Sequence, residues 1–149
     1  MGGRPFSDAP RWRQADTATR VTLVDTSVWV EVFRRNRPLD MASLVPFDEV
    51  VTCLPVVQEV LQGFTDERAF RLAREAMFAL PVVESPLRAE VVVEAVTLYR
   101  TARTRGLTVR SSADCLIAAC ALRHDLDVLH RDRDFAALAR VSSLRERSV

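Results

Sequence analysis

Apolar positions along the chain follow two spacings in turn. Val21, Leu23 and Val24 read as a short buried strand; Val28, Trp29, Val32 and Phe33 then fall at i, i+1, i+4 and i+5, one face of a helix. Pro38 stops that helix. Val50 to Leu54 predicts a second strand, and Val56, Val57, Val60, Leu61 and Phe64 form a helical stripe with Gln58, Glu59 and Gln62 opposite and Gly63 near the end. Residues 66–80 are again helical, and "PVV" at 81–83 reads as a strand. The segment "ESPLRAEVVVEAVTLYRTARTRG" predicts a long helix with Ser85 as N-cap, Pro86 at the first position and Gly106 after the last turn. Another helix starts under Ser111 or Ser112; "DVLHRDRDF" then reads as a strand and "FAALARV" as a short closing turn. Strands alternating with helices predict an α/β sandwich around a parallel sheet.

Residues 1–20 show no period and are rich in Gly, Pro and polar side chains, so they are expected to be a loose arm before a single domain at 21–149. No repeat or low-complexity tract interrupts that domain. The arm lacks the hydrophobic segment of a signal peptide, and no apolar run approaches the roughly 18 residues of a membrane span. No membrane association and cytoplasmic residence are the expectation.

Composition narrows the chemistry. All 21 basic residues are Arg and none is Lys, which excludes a P-loop Lys on phosphates and Schiff-base chemistry on a Lys amine. A net charge of +1 neither demands nor excludes a nucleic-acid partner. Cys53, Cys115 and Cys120 are an odd number without CxxC spacing and read as core residues; His124 and His130 are too few and badly placed to make a zinc site with them.

The acids are the informative residues. Asp25 ends the first strand, Glu59 lies on the polar side of an apolar helix, Asp114 falls in the first turn of a helix, and Asp132 and Asp134 end the last clear strand. Each has an ordinary explanation by itself: a turn or N-cap at Asp25, a solvated helix position at Glu59, a dipole-favoured acid at Asp114, an exposed charged turn at the last pair. Together they point elsewhere. Ligands bind outside the carboxyl ends of parallel strands, where helix N-termini also gather. Carboxylates clustered there repel one another, and a hard divalent cation such as Mg2+ or Mn2+ relieves that repulsion. Such a cation suits phosphodiester hydrolysis.

Four segments, "VDTSVW" at 24–29, "LPVVQEVLQGF" at 54–64, "ADCLIAACAL" at 113–122 and "LHRDRDF" at 129–135, stand in an order that resembles PIN-domain ribonucleases, in particular VapC-type toxins of bacterial toxin–antitoxin pairs. The resemblance covers about residues 21–141. It implies a PIN-like three-layer α/β/α sandwich with a central, mainly parallel sheet. It matches Asp25, Glu59 and Asp114 to the first three acids of the family's site and offers both Asp132 and Asp134 for the fourth, with Asp132 ranked slightly ahead. Ser27 matches a hydroxyl that orders the site. The implied activity is a metal-dependent endoribonuclease using Mg2+ or Mn2+, with Asp25, Asp114 and Asp132 or Asp134 as ligands. Glu59 would position or deprotonate water, or hold a second ion. Arg110, Arg131 and Arg133 flank these acids and are candidates for substrate phosphate, although a solvated-surface role explains each equally well.

The implied partners are an RNA (tRNA, rRNA or mRNA), a cognate VapB-type antitoxin and a second copy of the chain. The apolar stripes at Val56–Phe64 and Phe70–Leu80 would offer a groove to an antitoxin helix if the core did not consume them. Family members begin almost at the first strand, so residues 1–20 are expected to come from an upstream start or an expression vector. The alternative class is a catalytically silent PIN-like module binding RNA or protein. A receiver or haloacid-dehalogenase-like phosphatase also places Asp at strand ends, but both need the Lys this chain lacks.

Overall fold

The computed structural model describes residues 20–149, so the expected arm lies, but for Arg20, outside the described residues. Five strands and six helices follow in order: β1 (Thr22–Val24), α1 (Thr26–Val32), β2 (Val50–Cys53), α2 (Leu54–Gln62), α3 (Glu67–Ala79), β3 (Val82–Val83), α4 (Ala89–Thr104), α5 (Ser112–Arg123), β4 (Asp127–His130), α6 (Arg133–Ala139) and β5 (Arg145–Ser148). The strands make one parallel sheet in the order β3-β2-β1-β4-β5, with Leu23 beside Val51 on one side and Val128 on the other. Helical layers cover both faces, giving the three-layer α/β/α architecture.

Why the sheet is central is plain from its residues. Leu23, Val24, Val50, Val51, Val128 and Leu129 are all buried, as strands covered on both faces require. Met77, Ile117, Phe135 and Leu138 fill the layers against them. Cys53, Cys115 and Cys120 are unpaired thiols within this core. Trp29 belongs to it too, donating its indole N–H to the Val24 carbonyl at 3.1 Å and stacking on Phe33. Among the described residues no helix is long and apolar enough to cross a membrane.

Several local expectations are revised. Helix α4 starts at Ala89 with Arg88 at its N-cap, not at Ser85–Pro86, which form a cis peptide. The preceding Glu84 adopts φ 51° and sinks its carboxylate against Arg123 (2.9 Å) and His124 (2.8 Å), so residues 85–88 are spent turning back to the core, where Leu87 packs. Gly106 does follow the last turn, at φ 72°. The last clear strand stops at His130; the Asp132 carboxylate then accepts the Asp134 N–H and starts α6, so the "closing turn" is helical. Strand β5 was not expected. The apolar stripe of α2 is consumed by the core through Val56, Val57 and Val60, whereas α3 leaves Leu72 and Phe78 exposed.

Candidate metal centre

Because every strand runs the same way, all carboxyl ends open on one rim, and the order reverses between the central β1 and β4. Asp25 leaves β1 at that switch point. Its N–H continues the ladder to the Leu129 carbonyl at 2.9 Å. Its Oδ2 caps α1, accepting from the Ser27 N–H (2.9 Å) and Ser27 hydroxyl (2.5 Å). The Ser27 hydroxyl oxygen also accepts the Arg131 N–H at 2.9 Å, tying the end of β1 to the loop after β4. The cap explanation for Asp25 is therefore correct but incomplete, since Oδ1 is buried and lacks a donor.

Asp114 sits in the first turn of α5, its N–H held by the Ser111 N-cap at 3.3 Å. Asp114, Asp132 and Asp134 each offer an oxygen, and these atoms all lie within 4.8 Å of one another. Asp132 spends Oδ1 on the Asp134 N–H at 3.0 Å; Asp134 spends Oδ2 on the Arg110 and Ser111 N–H groups at 2.8 and 3.1 Å. Each keeps a second oxygen, so neither displaces the other as fourth acid. Asp25 lies outside this converging trio, and Glu59 lies on α2, half-buried.

Electrostatics unite all five. Burial, then the charges of Asp25, Asp132, Asp134 and Glu59, push Asp114 up to about 8. Burial and the Asp25 and Asp132 charges raise Glu59, and burial above all raises Asp25. Among the described residues no arginine or histidine forms an ion pair with any of the five. Buried oxygens of Asp25, Glu59 and Asp114 also lack any hydrogen-bond donor. An unpaired buried carboxylate is costly, and a set of hard oxygens without a protein cation fits a hard divalent metal.

Beside the acids a groove of about 900 Å³ runs between α2, α4 and α5, lined by Gln58, Glu59, Tyr99, Arg110 and Leu116 among others. Arg110 lines this groove, and its backbone N–H holds Asp134. Arg133 is exposed on the first turn of α6. Arg131 lies 3.7 Å from Glu31, so its guanidinium is partly engaged. Gln58, Tyr99 and Leu116, which line this groove, carry no motif that marks them in the sequence, and His130 stood inside "LHRDRDF" without an assigned task.

Comparison with known proteins bears on this arrangement. The PIN domain family model matches residues 22–141. VapC ribonuclease Mb1587 of Mycobacterium bovis is 35% identical over 134 residues, spanning 85% of this chain and 97% of that relative, and Ribonuclease VapC11 of Mycobacterium tuberculosis matches to the same extent. The fold is shared with DNA-bound VapBC from Salmonella typhimurium (TM-score 0.69, 15% identity, 87% of this chain and 98% of that one). It is shared also with VapBC-5 from Mycobacterium tuberculosis (TM-score 0.65, 24% identity, 87% and 99%). The PIN domain match over residues 22–141, with 35% identity to VapC relatives across 85% of the chain, places the chain in the PIN-domain family, among the VapC proteins.

Proposed function

We propose that this chain is a metal-dependent endoribonuclease, the toxin of a toxin–antitoxin pair, hydrolysing RNA phosphodiester bonds and so arresting translation or growth. The observation that carries the reading is the convergence of Asp114, Asp132 and Asp134 on one point, with buried acid oxygens around it that no cation among the described residues neutralises. A Mg2+ or Mn2+ ion bound there would supply a lowered water pKa and a clamp on the phosphate. Asp114, Asp132 and Asp134 would hold it, with Asp25 completing the acid wall and Ser27 fixing Asp25. Glu59, raised by burial and its neighbours, is suited to take a proton from the attacking water. Arg110 and Arg133 border the acids and would neutralise flanking phosphates. The adjoining groove, with Tyr99 on its wall, suits an unpaired RNA segment rather than a duplex.

Residues 21–149 act as one domain in this reading, working in the cytoplasm. A VapB-type antitoxin is the expected inhibitor, since relatives of this fold are described as VapBC complexes. Exposed Leu72 and Phe78 on α3 support a docking role for that helix, and exposed Val93 on α4, which does not line the groove, supports a homodimer.

Cleavage of total RNA with Mg2+ or Mn2+ tests the function. Asp25→Asn and Asp114→Asn should each lower the rate by about 100-fold or more, the scale of removing a transition-state charge stabiliser. Wild-type rates in both variants would refute the site, and no cleavage by the metal-loaded wild type would refute the activity.

A further inference from the structure

We propose that Glu146, on the edge strand beyond the family-matched residues 22–141, is a positioning residue for the acid cluster, acting through the tautomer of His130. The proposal rests on reading that cluster as a metal centre.

The path is continuous. In the β4–β5 ladder Glu146 stands beside Val128. His130, two residues on, emerges on the same face of the sheet as Val128. Its ring is 2% exposed, packs 5.1 Å from Phe135, and brings Nε2 to 2.5 Å from the Glu146 carboxylate. On the ring's other side the Asp132 N–H donates to Nδ1 at 3.1 Å. A backbone N–H can only donate, so Nδ1 must be the bare acceptor and Nε2 must carry the proton. Glu146, accepting at Nε2, holds the ring in that form.

What Nδ1 then fixes is the turn that carries two of the three converging acids. The Asp132 carboxylate accepts the Asp134 N–H, and Asp134 accepts the N–H groups of Arg110 and Ser111 ahead of α5. Ser111 in turn caps Asp114. One relay thus runs from an edge strand to all three acids. Partners of this kind set ligand affinity by orientation, typically by ten- to a hundredfold.

The test compares Glu146→Ala, Glu146→Gln, His130→Asn and His130→Leu with the full chain, reading Mn2+ affinity by calorimetry. In the metal-free protein, exchange of the Asp132 amide and the 15N shifts of the His130 ring are read as well. Glu146→Ala should lose Asp132 amide protection, mix the two tautomers and weaken Mn2+ binding at least tenfold. Glu146→Gln keeps an acceptor at Nε2 and should restore all three. His130→Asn can accept the Asp132 N–H through its own side-chain oxygen, as Asn does in turns, and should bind Mn2+ better than His130→Leu. Unchanged tautomer and amide protection in Glu146→Ala would overturn the proposal, as would equal loss in both His130 variants, which would mean packing alone. If the wild type takes up no Mn2+, the metal-centre reading fails, and the tautomer and amide data still decide what Glu146 does.

Discussion

Strand β4 has acids near both its ends, and the fold treats them in opposite ways. At its start Asp127 accepts from the Arg145 guanidinium at 2.6 Å and pairs with Arg20 at 3.6 Å, while neighbouring Asp125 shares Arg145 at 2.6 Å. Beyond its end Asp132 faces Asp114 and Asp134, and among the described residues no cation pairs with any of them. Arginine is not scarce there, since Arg110, Arg131 and Arg133 flank the acids in sequence. Their side chains nonetheless leave the acids unpaired. One end of the sheet is electrostatically settled, and at the other the clustered carboxylates raise one another's proton affinity, a conflict that a bound proton or a bound cation would relieve. Local conflict of this kind concentrates at functional sites.

The strongest way to break the contrast is to remove the charge that suffers most. Asp114→Asn deletes a carboxyl pushed up to about 8 and should raise the metal-free melting midpoint, by on the order of 5 °C, while abolishing Mn2+ binding. A lowered midpoint without metal would mean the acids are not in conflict.

The pH dependence of the wild type sharpens the same point. Asp114 is raised above its ordinary 3.8, so the folded chain holds that proton more tightly than the unfolded one. Its contribution is fully present below about pH 4 and is lost as pH rises through about 8. Asp25 and Glu59, also raised, act in the same direction. Metal-free thermal melts should therefore fall in midpoint from pH 5 to 8.5, and saturating Mn2+ should flatten the slope. A flat metal-free profile would count against the repulsion.

How visible each end was in the sequence follows from the same physics. The acid rim was legible because strand ends and helix starts are marked by strong local patterns. Asp25 follows a buried strand, Asp114 follows two serines, and the "DRDF" pair closes the last clear strand pattern. What was not legible depended on pairing across the chain. Strand β5 reads "RERS", with no apolar alternation, because an edge strand can carry charge on both faces. Its role in holding His130 was hidden with it. Ser85 and Pro86 look like a helix start, yet the buried Glu84 network claims that turn instead. The ranking of Asp132 over Asp134 had no local signal either, because both keep an oxygen that only the folded turn exposes as spare.

At the settled end the expected effects shrink. Asp127→Asn keeps an oxygen for the Arg145 Nε–H but loses the charge shared with Arg20. It should cost about 1 kcal/mol or less at low salt and leave Mn2+ affinity and cleavage unchanged, as denaturant midpoints and calorimetry would show.

The smallest effect belongs to Asp125, which is exposed and sits at φ 53°, a conformation Asn tolerates well. Asp125→Asn therefore removes the charge without straining the backbone. The hydrogen bond and charge of Arg145 hold the Asp125 carboxyl below its ordinary 3.8. That stabilisation is present above this ordinary value and is lost as pH falls through the lower, folded one. Wild type and Asp125→Asn should differ slightly at pH 7 in low salt, and converge at pH 2 or in 1 M NaCl, where the Debye length is about 3 Å. Mn2+ affinity should not move at all. If it did, the charges at the two ends of β4 would be coupled through the sheet, and the division between a settled end and a waiting one would fail.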